Sequence, residues 1–183
     1  MASKGALEVV KGLNLERYMG RWYEIASIPS RFQPKDGVNT QATYTLNPDN
    51  TVHVLNETWS NGKRGSIEGS AYKVDLQSDE AKLKVKFYVP PFLPLFPVLG
   101  DYWVMAIDED YRWAMVGQPS RKSLWILSRE PELDEEIYNQ LLDKAREQGY
   151  NVDLLHKTTH TQIPEEETPQ DKGVWWFKAL LGK

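Results

Sequence analysis

Cysteine is absent from the 183-residue chain, which excludes disulfides, thiolate nucleophiles and cysteine-containing metal sites. No apolar stretch approaches the roughly 20 residues of a membrane-spanning helix, and the N-terminal residues lack the apolar run of a secretory signal. The 22 Lys and Arg residues are outnumbered by 26 Asp and Glu, so the net charge of −4 disfavours a nucleic-acid binder. The sequence therefore predicts a cytoplasmic protein that is not secreted and contacts membranes only peripherally.

Helical periodicity is also nearly missing from the first two thirds of the chain. Short β-branched and aromatic runs separated by turn residues occur there instead, a spacing typical of an antiparallel sandwich or barrel. We predict eight strands, near residues 22–28, 38–46, 52–60, 63–73, 81–89, 102–108, 112–118 and 123–128. Links of hairpin length allow such strands to close into an all-β barrel, whose interior is filled by side chains or holds a small ligand.

The last third of the chain predicts one helix and a tail. An apolar stripe at helical spacing indicates a helix that packs outside the sheet, with Pro131 in its first turn. The stripe consists of Leu133, Ile137, Leu141, Leu142 and Ala145. An edge strand near 151–156 follows. We divide the chain into a barrel domain, 1–160, and a segment, 161–183, with an acidic, proline-containing linker that is predicted to be disordered and a Trp-rich tail.

Five residues carry a family resemblance. Gly20 and Trp22 begin the first strand, Asp108 and Tyr111 occupy the turn between strands six and seven, and Arg129 follows strand eight. Because they occur in this order along eight predicted strands, these residues resemble the three motifs of the lipocalin family. The absence of cysteine, the proline-rich run and the tail resemble in particular the plant temperature-induced lipocalins. Apolipoprotein D and the bacterial outer-membrane lipocalins are also similar over most of the chain.

The resemblance implies an eight-stranded up-and-down barrel, the lipocalin calyx, with one C-terminal helix packed outside. It also implies that Trp22 and Arg129 stack across the barrel floor beside Gly20, a cation–π contact worth roughly 0.5–2 kcal/mol. Counting alternate residues from Trp22 places Glu24 and Ala26 inside, and Glu24 is expected in a polar network with Arg129 or tyrosine groups. With the family's register, the candidate ligand-binding residues that point inward are Ala42, Tyr44, Val54, Asn56, Val85, Phe87, Tyr102, Val104 and Trp125.

An apolar run with four prolines, residues 90–100, links strands five and six at the open end of such a barrel. An exposed apolar patch usually marks a contact with a membrane or a protein, and a lid over the mouth is the alternative. The candidate membrane-contacting residues are Phe92, Leu93, Leu95, Phe96 and Val98. Arg31 and Lys35 on the neighbouring loop could meet anionic headgroups. The Trp-rich tail, 173–183, is a second candidate anchor, or else it docks on the barrel itself.

An apolar and aromatic lumen suits a lipid, sterol, fatty acid, carotenoid or tetrapyrrole. We predict no required cofactor and no metal; ligation of haem by one of the three histidines is an alternative. The main hypothesis is a non-enzymatic monomer, or weak dimer, that binds a small hydrophobic ligand while peripheral on the cytoplasmic side of the plasma membrane. The resemblance adds protection against temperature and oxidative stress. The rivals are an interaction protein with a plugged barrel and, third, an enzyme acting on an oxidised lipid or a bilin.

Overall fold

The computed structural model describes residues 5–28, 36–89, 96–162 and 170–171. Within these ranges it contains two α-helices, α1 (Leu15–Tyr18) and α2 (Glu135–Glu147), and a 3-10 turn at Val152–Leu154. The strands are β1 (Gly20–Ile28), β2 (Val38–Leu46), β3 (Val52–Ser60), β4 (Lys63–Lys73), β5 (Lys82–Val89), β6 (Phe96–Ile107), β7 (Trp113–Gly117), β8 (Leu124–Ser128), β9 (His156–Lys157) and β10 (Gln170–Asp171).

Strands β1 to β8 form a closed antiparallel barrel. Each strand pairs with the next along the chain, and the ring is closed because β1 also pairs with β8. Loops that connect consecutive strands can be short in this arrangement, as the turn residues indicated. The predicted eight-stranded barrel with a C-terminal helix is confirmed.

Strand β6 begins at Phe96, earlier than the predicted residue 102. Its first residues pair with β5, Pro97 lying opposite Tyr88, while β7 joins β6 only from Trp103. A proline is tolerated at such an edge because no neighbouring strand on that side needs a hydrogen bond from its missing N–H. The predicted proline-rich loop is therefore shorter than expected, and its remaining residues, 90–95, lie outside the described residues.

A bulge in β1 between Glu24 and Ala26 changes which side chains face the lumen. Beyond it, Ala26 lies opposite Ile126 on the outer face, and Ser27 lies opposite Trp125. A bulge adds one residue to a strand, so the alternation of faces fails there. The prediction that Ala26 points into the barrel is wrong for this reason.

Helix α2 packs on the outer face of the barrel. Its buried residues Tyr138, Leu141 and Ala145 join a cluster with Ile25 and Met115 from the barrel wall. Asp134 caps the helix, since its carboxylate accepts hydrogen bonds from the backbone amides of Glu136 and Ile137. The helix therefore begins at Glu135, and the prediction that Pro131 occupies its first turn is wrong.

The chain after α2 returns to β1. The predicted edge strand, 151–156, is a 3-10 turn followed by the short strand β9, which pairs with Ala26 and Ser27. Its continuation also contacts β2, because the Asn39 amide donates to the Thr159 carbonyl at 2.8 Å. Strand β10 pairs in parallel with Arg64 and Gly65 of β4. Of the predicted segment, 161–183, the structure describes residues 161–162 and β10; the tail, 173–183, lies outside the described residues.

Candidate ligand-binding site

The nine predicted ligand-binding residues all lie on the lumen face of the barrel. Eight of them belong to the inner apolar cluster: Ala42, Tyr44, Val54, Val85, Phe87, Tyr102, Val104 and Trp125. The ninth, Asn56, lies opposite Ala42 in the β2–β3 register and therefore shares its face. The structure brings these side chains together around one space; their role as ligand contacts stays a prediction.

Exposure varies along the lumen wall. Tyr44, Val54 and Val104 are buried, at 8%, 2% and 0% exposed. Phe87 and Trp125 are only partly buried although both point into the barrel. Side chains that face inward and still have accessible surface indicate open space beside them, since a barrel filled by its own side chains would bury them. The aromatic part of the lumen is therefore accessible.

The closed end of the lumen is filled more tightly. A cavity of about 20 Å³ lies there, little more than a single water molecule requires. It is lined by Leu13, Leu15, Tyr18, Met19, Tyr44, Val52, Ala71, Leu83, Val85 and Tyr102. Tyr18 and its neighbours come from α1 and the segment before it, which cover this end. These residues were not predicted from the sequence, although Asn14, whose side chain caps α1, was a helix-start signal.

Three tyrosine hydroxyls meet at this closed end. The hydroxyl oxygen of Tyr102 lies 2.7 Å from that of Tyr18 and 3.0 Å from that of Tyr44. The rings are also in contact, with Tyr18 and Tyr44 stacked at 5.8 Å between centroids and Tyr44 and Tyr102 edge-on at 6.0 Å. The three phenols are the polar part of an otherwise apolar end.

Burial keeps these phenols neutral. It raises the pKa of Tyr44 to about 12, and it raises the pKa of Tyr18 and of Tyr102 well above the ordinary value. Desolvation disfavours the phenolate form, which outweighs the attraction of the Arg129 charge on Tyr18 and Tyr44. Each hydroxyl therefore retains its proton at physiological pH and can donate a hydrogen bond.

The floor beneath the tyrosines is held by Arg129. Its guanidinium lies 3.7 Å from the ring centroid of Trp22, which is 0% exposed. Its three nitrogens donate to the backbone carbonyls of Tyr111, Arg21 and Arg17 at 3.1, 2.8 and 2.8 Å. One side chain thus joins three separate chain segments, and the cation–π contact implied by the resemblance is present.

The turn between β6 and β7 supports the same floor. The Asp108 carboxylate accepts hydrogen bonds from Arg112 Nε at 2.7 Å and from the Asp110 amide at 3.2 Å. Hydrogen bonds from Arg112 hold the pKa of Asp108 below its ordinary value. Tyr111, at φ 59°, accepts a hydrogen bond from the Asn14 amide at 2.9 Å. The turn therefore ties the segment before β1 to the barrel.

Glu24 lies in a polar network, but not in the one expected. Its carboxylate accepts hydrogen bonds from Thr158 at 2.6 Å and Ser27 at 3.0 Å, in the wall between β1 and β9. Arg129 and the tyrosine hydroxyls donate elsewhere. His160 contacts the Glu24 carbonyl oxygen at 2.6 Å, and His53 faces outward beside Glu68. Within the described residues, no three His, Asp or Glu side chains cluster as metal ligands would.

The predicted membrane-contacting residues are only partly described. Phe92, Leu93 and Leu95, together with the loop cations Arg31 and Lys35, lie outside the described residues, and Phe96 is described as backbone only. Val98 belongs to β6 and lies opposite Phe87, so it shares the lumen face, and its contact with a membrane stays a prediction. No helix in the described part of the chain is long and apolar enough to cross a bilayer.

Comparison with known proteins agrees with this architecture. Residues 13–160 match the family model described as a lipocalin-like domain. Temperature-induced lipocalin-1 of Arabidopsis thaliana is 69% identical, over 100% of both chains. The outer membrane lipoprotein Blc of Escherichia coli is 37% identical, covering 79% of this chain and 77% of its own. Insecticyanin from the tobacco hornworm superposes with a TM-score of 0.74 at 19% identity, covering 93% of each chain, and shows a shared fold.

The geometry and these matches define a barrel protein that binds small hydrophobic molecules. The chain belongs to the lipocalin family. Members of this family are ligand-binding proteins rather than enzymes, and they require no cofactor for that role. The lumen is accordingly the candidate binding site of this chain.

Proposed function

We propose that the chain binds a lipid-like molecule, such as a sterol, fatty acid, carotenoid or tetrapyrrole, in the aromatic part of its lumen. The observation that carries the proposal is the accessible surface of Phe87 and Trp125 inside an apolar barrel. Burying about 300 Å² of apolar ligand surface would contribute roughly 7 kcal/mol before association costs are subtracted. A free-energy contribution of this size is sufficient for reversible binding.

Replacement of one lumen tryptophan tests this site. Trp125→Ala removes a large wall residue, so we expect the affinity for the hydrophobic dye Nile red to fall about tenfold or more. Trp103→Ala is the matched control, because Trp103 lies on the outer face of the barrel. There the Lys82 Nζ lies 4.5 Å from the centroid of the Trp103 ring. Fluorescence titration measures both affinities, and circular dichroism checks the fold. Equal weakening by the two variants would contradict the proposal.

A plugged barrel, the rival in which the protein acts through surface docking, makes a different prediction. The wild-type protein would then take up no Nile red, and protein purified from its own tissue would carry no small molecule. Native mass spectrometry of such protein, followed by organic extraction, would identify the chemical class of a bound ligand. Extraction of a hydrophobic molecule in molar proportion to protein would exclude the plugged barrel.

We further propose that the open end contacts the cytoplasmic face of the plasma membrane. Tyr88 and Leu99, which flank the apolar loop, are 43% and 55% exposed, and Lys86 lies 5.0 Å from the Tyr88 ring. Apolar and aromatic groups beside a cation suit an anionic bilayer surface. Mutation of Phe92, Leu93, Leu95 and Phe96 to Ser should release the protein from liposomes containing phosphatidylserine while Nile red binding persists. Unchanged liposome partitioning would refute this contact.

A role in temperature and oxidative stress is proposed on similarity. It rests on the similarity to the Arabidopsis relative, which is named temperature-induced lipocalin-1. We expect the abundance of the protein to rise after a temperature shift in its own tissue, measured by quantitative immunoblotting against an unchanging reference protein. Constant abundance after both heat and cold would contradict the induction. Loss of the protein should also increase membrane peroxidation under the same treatment.

A further inference from the structure

The three tyrosine hydroxyls at the closed end have more hydrogens than their mutual hydrogen bonds use. Tyr18, Tyr44 and Tyr102 carry three O–H hydrogens, and the structure shows two contacts between them. A hydroxyl donates one hydrogen bond, so Tyr102 cannot donate to both neighbours. Whichever direction the two bonds take, one hydrogen of the three remains without an acceptor among the described residues.

The unused hydrogen lies in surroundings that offer it no other acceptor. Tyr18, Tyr44 and Tyr102 line the cavity of about 20 Å³, whose other lining residues are leucine, valine, alanine and methionine. Buried donors are normally hydrogen-bonded, and leaving one unpaired in an apolar site is unfavourable. Val85 and Tyr102 border this cavity, and both side chains are only partly buried within the lumen, so the cavity adjoins its accessible part.

Charge decides what kind of acceptor fits. Burial raises the pKa of all three phenols, so they present neutral donors. The nearest cation, Arg129, lies against Trp22 and uses its nitrogens on three backbone carbonyls. A carboxylate at the closed end would therefore lose its hydration and gain phenol hydrogen bonds without a direct ion pair. A neutral oxygen acceptor has no such cost.

We propose that the closed end of the lumen recognises a neutral hydrogen-bond acceptor, a ketone, aldehyde or ester carbonyl, at the leading end of an elongated apolar ligand. The tyrosine cluster donates one hydrogen bond to that oxygen, and the aromatic wall contacts the apolar remainder. The ligand thus enters polar end first. This inference rests on the proposed lumen function and narrows its ligand class.

Three probes of equal length test the selectivity. A fourteen-carbon methyl ketone, the corresponding alkane and the corresponding carboxylate each compete with Nile red for the wild-type lumen. We expect the ketone to bind about tenfold more tightly than the alkane, the scale of one buried hydrogen bond, and more tightly than the carboxylate. Equal affinities of ketone and alkane would overturn this inference and leave the proposed function standing. Failure of Nile red to bind at all would overturn both.

Variants assign the effect to the cluster. In Tyr18→Phe/Tyr44→Phe/Tyr102→Phe the ketone-to-alkane affinity ratio should fall to about one. Tyr138→Phe is the matched control, because Tyr138 is a buried tyrosine of α2, on the outside of the barrel, and in this variant the ratio should stay at its wild-type value. A folded triple variant that retains the wild-type ratio would overturn the assignment.

Infrared spectroscopy supplies a readout that does not depend on the variant folding. The carbonyl stretch of the ketone bound to the wild-type protein should lie at lower frequency than in alkane solvent, because an accepted hydrogen bond weakens the C=O bond. A stretch at the alkane-solvent frequency would overturn the proposal. A stretch shifted in the wild type and in Tyr138→Phe supports it.

Discussion

Replacement of Arg129 by Met should destabilise the barrel by about 3–4 kcal/mol. The substitution keeps an unbranched side chain near Trp22 but removes the donors to three backbone carbonyls and the cation 3.7 Å from the ring. A hydrogen bond from a charged donor contributes about 1.5–3 kcal/mol and the cation–π contact about 1 kcal/mol. We take about 1 kcal/mol for each hydrogen bond, because the carbonyls lie near solvent and regain water when Arg129 is removed.

Urea unfolding followed by far-ultraviolet circular dichroism measures this loss. For a chain of this size, about 3–4 kcal/mol corresponds to a fall of the melting temperature of roughly 6–16 °C. Arg146→Met is the control: Arg146 also donates through its guanidinium, to Asp143, but the two side chains are 54% and 71% exposed, so its removal should leave the urea midpoint nearly unchanged. A loss below about 1 kcal/mol for Arg129→Met would refute the argument that joining three segments stabilises the floor.

Three further predictions concern the interior and the helix. Because burial raises the pKa of Tyr44 to about 12, the free energy of unfolding should fall as pH rises from about 10 to 12, and Tyr44→Phe should flatten that fall in urea titrations. Gly69→Ala should destabilise by about 2 kcal/mol in urea unfolding, because its Cβ would lie 2.4 Å from the Lys86 carbonyl oxygen and 2.5 Å from the Phe87 ring. Leu141→Ala should cost about 2–4 kcal/mol by the same assay, whereas exposed Asn139→Ala should cost little.

Alternation and turn chemistry made much of the barrel predictable. The bounds of β2, β3 and β4 agree with the predicted ranges, since each is a period-two run that ends at a turn residue. The inward side chains of β5 followed from the same period, with Leu83 buried and Val85 and Phe87 in the lumen cluster. Local pattern is sufficient there because one face of a sheet must be buried.

Predictions failed where a distant part of the chain determined the local structure. Ala26 faces outward because a bulge accommodates β8, and β6 starts at Phe96 because β5 supplies a partner before β7 arrives. Neither partner is visible in the residues themselves, since bulges and edge pairings depend on the register between strands.

The sequence by itself determined the eight strands and the outer helix, because period-two burial, helical spacing and turn residues act over short distances. The Trp22–Arg129 floor and the register of the lumen were implied by the family resemblance. Only the tertiary structure decided the closed end, where α1 brings Tyr18 within 2.7 Å of Tyr102, a residue far along the chain. The alternation of side chains along a strand shows that a side chain points inward. It does not show how deep in the barrel that side chain lies or which hydroxyl it contacts. Those depend on barrel closure, which places separate strands around one space.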